Sequence, residues 1–427
     1  MGHTIAEKIL GSHTEAGKPA NAGEVVIARV DSTMIHDARA AGAFGAVERL
    51  GIEKLPFAKN TALVIDHFSP PPNAEAANTH VAMRAFAEKH GAQLFDVGSG
   101  ICHQLMPENG YVTCGAMVCG TDTHSTTYGA FNAFATGVEG TDISVIMATG
   151  QSWFRVPETI KVMLNGPLQP GVWAKDVTLN MLGRFGAEGL NYKAIEYKGT
   201  GVSSMEIDDR MTLSNHAAEL GAKAAILEAD DKTLAWLKAH GAATPNPVTA
   251  DADATYFKSI EIDTALLTPQ VARQHMIDDV VPVPDVTNQK INVALVGTCT
   301  NGRFDDVRQV AEIVRGKKIA KGVRLVVTPA SRDIYLRAEK EGLIRDIVEA
   351  GGSVDSAGCG TCVGITNKLV SGDGEVVITS ANRNFQGRLG NYESDIWVSS
   401  SATVAASALT GKVTDPREVD GGQWRAA

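Results

Sequence analysis

Short β-branched runs alternate with stretches of helical spacing along the last third of the chain, and this alternation limits the fold more than any other feature. Ile291 to Val296 reads as a buried strand, Thr298 to Gly302 as a turn, and Phe304, Val307, Val310, Ala311 and Val314 then recur at helical spacing. Asp305 and Asp306 fall in that helix's first turn, where the dipole favours negative charge. Val323 to Val327 supplies the next strand, Ser331 opens a helical stretch carrying Ile334, Leu343, Ile344 and Ile347, and Val376 to Thr379 and Ile396 to Val398 supply two more strands. Such a βαβ series predicts an α/β fold with a parallel sheet covered on both faces.

The first portion repeats the style. Val25 to Val30, Thr61 to Ile65 and Ala116 to Cys119 read as strands, with helical patterns over Ala74 to His90 and Tyr128 to Gly150. A middle segment carries helical patches at Asn215 to Ile226 and Lys232 to His240. Three α/β units are therefore expected, over 1–165, 166–285 and 286–427. Ala243 to Tyr256 and Ile277 to Lys290 lack apolar periodicity and read as linkers.

Composition narrows the function. Of 427 residues, 44% are apolar and 21% charged, which excludes disordered and fibrous classes. A net charge of -10 without a long basic run argues against nucleic acid and anionic membrane as partners, yet leaves room for a local cationic pocket. The N-terminus turns polar too early for a secretory signal and no segment approaches a membrane span, so a cytoplasmic location is expected. Six cysteines in so large an intracellular chain point to metal or catalysis rather than a disulfide framework.

Polar residues gather just past strand ends, where open α/β sheets form ligand crevices. Val64-Ile65 leads into Asp66-His67, Val118-Cys119 into the run 120–125 with Asp122 and His124, Val296 into the run 297–302, and Ile378 into the run 379–383. Asp122 and His124, two apart, share a side if the backbone there is extended, and a carboxylate beside an imidazole raises its pKa. Asn215 and Glu219, four apart, share one helix face, although a solvated helix start explains them equally well. Arg383 and Arg388 flank a loop in which two guanidiniums could clamp carboxylates; singly, each reads as a surface charge. Cys102, Cys114 and Cys119 have apolar neighbours and read as packing residues.

Cys359 and Cys362 lie three apart among glycines, and alone they fit a weakly redox-active turn as well as a metal site. Cys299, at a strand-to-helix turn, makes a third thiol. Structural zinc wants a fourth ligand, while a four-iron cluster on three thiolates leaves one iron open for Lewis-acid catalysis.

Taken together, Asp66-His67, "GICHQLMPENG" at 100–110, "GTDTHSTTYGAFNAFATGVEGTD" at 120–142, "SNHAAELGA" at 214–222, "GTCTNGR" at 297–303, "GCGTCVG" at 358–364 and "SANRNFQGRLG" at 380–390 keep one order along the chain. In these segments the sequence resembles the aconitase superfamily, in its isopropylmalate dehydratase large-subunit branch. The resemblance implies three α/β/α domains around a central cluster-containing crevice, lacking the fourth, swivelling domain, and a [4Fe-4S] cluster on Cys299, Cys359 and Cys362. It implies that Asp66 and His67 protonate the departing hydroxyl, and that His103 with Asp122 and His124 with Glu219 order water and substrate oxygens. It also implies that Asn301 and Asn382 lie beside the cluster, that Arg383 and Arg388 grip substrate carboxylate, and that Asn215 and Thr123 assist binding. Thr123 stands where the family often has serine, and "HDARAAGAFG" places Ala41 or Gly42 where many members carry a substrate-bonding glutamine.

The implied activity is reversible dehydration of a small 2-hydroxy dicarboxylic acid. 3-Isopropylmalate, within leucine biosynthesis, leads, with citramalate, 2,3-dimethylmalate, maleate or homoaconitate as alternatives. A separate small subunit would supply the swivelling domain and its serine base. The rival reading from another class is a non-catalytic metal-binding regulatory module.

Overall fold

The computed structural model describes residues 2–286, 288–364 and 371–425. Two parallel sheets reverse their strand order near the middle and so create facing crevices. In the first, of five strands, the spatial order is Gln93–Phe95, Thr61–Val64, Ser32–His36, Met117–Gly120 and Phe134–Gly137. From Ser32–His36 the chain runs outward to one edge through Thr61–Val64, then returns to pair Met117–Gly120 on the other side. The carboxyl ends of these three strands therefore flank a topological switch point.

The second has seven strands, in the order Val280–Pro282, Gln270–Ala272, Asp395–Ser399, Val376–Thr379, Val293–Val296, Arg324–Val327 and Ser353–Val354. The last five are parallel, and their order switches between Val293–Val296 and Val376–Thr379. Between these sheets stands a parallel four-stranded one, ordered Ala224–Leu227, Ala194–Lys198, Thr159–Asn165 and Lys258–Asp263. Thr159–Asn165, pairing with Ala194–Lys198, and Gln270–Ala272, pairing with Asp395–Ser399, thus cross the boundaries at 165/166 and 285/286 drawn from the sequence.

One apolar core joins the first and last sheets. Val64, Ile101, Met106, Val118, Tyr128 and Phe131 pack in the same cluster as Cys299, Phe304, Cys359 and Cys362. The helix Phe304–Val314 buries Phe304, Val307, Val310, Ala311 and Val314, the positions its spacing predicts. Each fully buried aliphatic side chain there contributes about 1.5–3 kcal/mol. The thiols therefore rest on a rigid floor.

Several expectations need correction. The stretch 128–150 is not one helix but the end of a 3-10 helix, Thr123–Phe131, then the strand Phe134–Gly137 and the helix Gly140–Thr149. Asn132 breaks it: its backbone is left-handed (φ 61), and its side chain donates to Leu227 and Val248 carbonyls while accepting from the Val248 amide. Gly129 is required at that turn, because a Cβ there would meet the Ala225 carbonyl at 1.8 Å. The helical patch 215–226 ends early, since the helix Ile207–His216 tightens to 3-10 over Ala217–Leu220, turns at Gly221 and becomes the strand Ala224–Leu227.

Val25–Arg29 joins no parallel sheet; it pairs antiparallel with Gln151–Arg155 as a two-stranded ribbon. The helical stretch after Ser331 is two helices, Arg332–Lys340 and Leu343–Ala350, parted at the left-handed Gly342. Neither proposed linker is free. The segment 243–256 is tied down by Asn246 and Val248, and 277–290 contains the strand Val280–Pro282.

Candidate functional site

The strand ends meet at a cavity of about 380 Å³ lined by His36, Arg39, His67, His103, Asp122, Thr123, His124, the three cysteines 299, 359 and 362, Arg383 and Arg388, among others. Thr61–Val64 places Asp66 and His67 there, Met117–Gly120 places Asp122, and Val293–Val296 and Val376–Thr379 place Cys299 and Arg383.

Asp66 is fully buried. One of its oxygens takes Nδ1 of His67 at 2.7 Å, the other accepts the Cys102 amide at 2.8 Å, and its carbonyl accepts the Cys359 amide at 3.0 Å. Nε2 of His67 lies 3.6 Å from Asp122, and its ring stacks on His36 at 4.2 Å between centroids. Burial opposes a charge on His67, but the carboxylates of Asp66 and Asp122 outweigh it and raise its pKa well above the ordinary value.

Asp122 is the hub. Its Oδ1 contacts Nε2 of His103 at 2.9 Å and accepts the His124 amide at 2.8 Å. Burial would raise its pKa, yet the three imidazoles overcome burial and hold it well below the carboxylate range. His124 passes the contact on, with Nε2 2.8 Å from Glu219, whose two oxygens accept Nε of Arg383 at 2.9 and 2.8 Å. Burial opposes the Glu219 charge too, but His124 and Arg383 lower its pKa to about 2. Acid and base groups thus alternate without a gap from Asp66 to Arg383.

Strand alternation is not what unites Asp122 and His124. Asp122 is extended (φ -112, ψ 143) and caps the 3-10 helix that begins at Thr123, so the cap itself brings His124 back onto it. Similarly, Asn215 lies in the last turn of the α-helix while Glu219 sits in the 3-10 turn, and their side chains go to different partners.

The thiol loops are held from behind. The turn carrying Cys299 has a left-handed Thr298 (φ 68), and the buried Arg303 donates to the Cys299 carbonyl at 2.7 Å and to that of Thr300. Oδ1 of Asn382 lies 3.8 Å from the Cys299 sulfur, and Asn215 joins Asn382 (2.8 Å) to Thr127 and Thr300. Asn301 bonds Asp306 at 2.9 Å, and its other amide atom, Oδ1, is buried with no hydrogen-bond partner among the described residues. These three asparagines lie behind the cavity wall and shape the loops rather than line the space.

Around Cys359, Gly360 packs so tightly that a Cβ would meet the Thr328 side chain at 2.7 Å. Arg388 donates to the Cys362 carbonyl (2.8 Å) and contacts its sulfur (3.1 Å). Hydrogen bonding from Cys359, and then the charge of Arg388, lower the Cys362 pKa well below its ordinary value despite burial, while the same bond and burial raise that of Cys359. One thiol of the pair is thus poised as thiolate.

The donor set discriminates between metal centres. One nitrogen each of His103 and His124 lies within 4.8 Å of the Cys299 sulfur, which would suit zinc. Both rings are already engaged at both nitrogens, however: His103 with Tyr128 and Asp122, and His124 with Asp122 and Glu219. Three buried sulfurs lining one cavity, two of them beside a guanidinium and an amide, with no unengaged fourth ligand among the described residues, fit an iron-sulfur cluster better than a closed zinc tetrahedron.

Residues 7–411 match the Aconitase family (aconitate hydratase). The chain belongs to the aconitase family. This aconitase-family chain is therefore a hydro-lyase. It is 44% identical to the 3-isopropylmalate dehydratase large subunit of Elusimicrobium minutum, over 98% of this chain and 100% of that protein. It is 44% identical to large subunit 1 of that enzyme from Thermotoga maritima (98% and 99% covered) and 42% identical to large subunit 1 from Methanopyrus kandleri (98% and 99%). In fold it is similar to aconitase X of Thermococcus kodakaraensis, with a TM-score of 0.51, 12% identity and 84% of each chain covered. Among the described residues, no helix is long and apolar enough to cross a membrane.

Sequence reasoning missed His36, Asp37 and Arg39, although His36-Asp37 ends a strand as Asp66-His67 follows one. Asp37 is buried and accepts the amides of His67 and Phe68 at 3.1 and 2.9 Å, fixing the acid-bearing loop. Arg39 carries no sequence signal, since the cavity forms only in three dimensions. Cys102, Cys114 and Cys119 are buried, and burial pushes the latter two thiols up to about 11 and about 12.

Proposed function

We propose that this chain is the large subunit of a cytoplasmic dehydratase for a small 2-hydroxy dicarboxylic acid, foremost 3-isopropylmalate, working with a separate small subunit. The observation that carries the reading is His67, set between the carboxylates of Asp66 (2.7 Å) and Asp122 (3.6 Å) on the wall of a cavity that also receives three thiols and three guanidiniums. The substrate choice rests on the relatives, whose names specify 3-isopropylmalate and a large subunit.

Cys299, Cys359 and Cys362 would hold a [4Fe-4S] cluster, which when bound supplies Lewis acidity at an iron without a protein ligand. Hydroxide leaves poorly at neutral pH, so a proton must reach it as the C–O bond breaks. His67 delivers that proton from Nε2, because Asp66 occupies Nδ1; the neutral ring then takes a proton back from water, and the carboxylates of Asp66 and Asp122 stabilise the imidazolium so re-formed. His103 and His124 hold the carboxylates of Asp122 and Glu219 where these orient water for the reverse addition. Arg383 and Arg388 offset charge building on the carboxylate as the neighbouring C–H is deprotonated. Neither serine nor lysine is among the described residues lining the cavity, which supports a base supplied by the small subunit.

The test is turnover by the anaerobically reconstituted pair of subunits with His67→Asn in the large chain. General-acid loss lowers kcat by about 10²- to 10⁴-fold while substrate still binds. Unchanged kcat would remove His67 from its role, and absence of wild-type turnover on every 2-hydroxy diacid would remove the substrate class.

A further inference from the structure

The loop that carries Arg383 into the cavity, with Asn382 behind the wall, is gripped on its backbone by two side chains outside that cavity. Lys175, in the helix Ala174–Phe185, is completely buried, and its ammonium donates to the carbonyls of Ser380 (3.0 Å) and Ala381 (2.8 Å). His216, which ends the helix Ile207–His216 and is also completely buried, contacts the next carbonyl, Asn382, with Nε2 at 3.2 Å. Three consecutive carbonyls are thus held from two helices of the middle layer.

We propose that Lys175 and His216 are positioning residues that hold Asn382 and Arg383 at the site, an inference that rests on the role assigned to Arg383. Burial makes a charge on Lys175 costly and lowers its pKa to about 7; among the described residues it has no ion pair, and two neutral carbonyls receive its N–H groups. The cost is understandable if the carbonyls must not move. Immediately beyond them, Asn382 faces the Cys299 sulfur and Arg383 grips Glu219, so a shift at residue 381 would disturb both. His216 is kept neutral, by burial and then by the neighbouring Lys175 charge. A neutral ring can present one N–H, from Nε2 to Asn382, leaving Nδ1 2.8 Å from the Thr178 hydroxyl.

The experiment is a double-mutant cycle on the reconstituted two-subunit enzyme, with 3-isopropylmalate as the probe. Lys175→Met and Arg383→Lys are each expected to raise KM about 10-fold or more. If Lys175 acts through Arg383, the double variant is little worse than Arg383→Lys alone; fully additive effects overturn the proposal. Arg383→Lys with unchanged KM would instead refute the role of Arg383, a different failure. Hydrogen exchange over residues 380–388 provides a readout independent of substrate. His216→Phe should accelerate it about 10-fold and His216→Gln, which retains a donor, should restore protection. Unchanged exchange in His216→Phe overturns the proposal even if Lys175→Met fails to fold.

Discussion

At the scale of single residues, charge does more than space to define this site. Asp122 meets three imidazoles, and the outcome differs for each: His67 and His124 are driven up in pKa, whereas burial wins at His103 and lowers it. Asp122, His67 and His124 are visible in the sequence because each follows a strand, whereas His103 comes only with the resemblance; their division into cation and neutral partner depends on distances that no spacing encodes. A second buried acid shows the same physics away from the cavity. Glu108 accepts from Gln104 (2.8 Å) and from Ser331 (3.0 Å), tying the helix that carries His103 to the last sheet, and burial lifts its pKa to about 7. Its folded-state pKa lies above the unfolded one, so its contribution to stability is full below about pH 4.5 and lost as pH rises through about 7. Glu108→Gln should therefore flatten the fall in Tm between about pH 5 and 8, measured by calorimetry; an unaltered Tm profile would contradict this linkage.

At the scale of elements, legibility followed local signals. The helix Ala74–His90 has the bounds read from its pattern, since Asn73 caps it by accepting the Ala76 amide at 2.9 Å and Gly91 ends it left-handed. Asn73→Ala should cost about 1 kcal/mol in urea unfolding, and no loss would mean the cap is solvated rather than structural. The strand Val376–Thr379 was equally plain. The stretch 128–150 was misread because its apolar residues satisfy helical spacing, while the deciding contact, Asn132 with Leu227 and Val248, reaches far along the chain. The 3-10 turns that aim His124 and Glu219 were invisible for the same reason: tertiary hydrogen bonds, not periodicity, tighten them.

At the scale of the whole molecule, two sheets each reverse strand order, and their switch points face one another across the thiols. The alternation of strands and helices predicts such sheets and a middle α/β unit, and the resemblance of the motifs supplies the idea of a shared crevice; neither shows that Lys175 and His216 of the middle unit brace the loop at 380–383. The acidic chain nevertheless concentrates Arg39, Arg383 and Arg388 at this one cavity, as an anionic substrate requires. The account stands on three sulfurs that hold a cluster with one iron open to substrate. The most direct measurement is Mössbauer spectroscopy of the chain reconstituted anaerobically with isotopically enriched iron and sulfide, before and after adding 3-isopropylmalate. We expect about four irons per chain, one of which changes its spectrum when the diacid binds, and loss of the whole signal in Cys362→Ser. Four irons that ignore the diacid, or a centre that survives Cys362→Ser, would contradict the account.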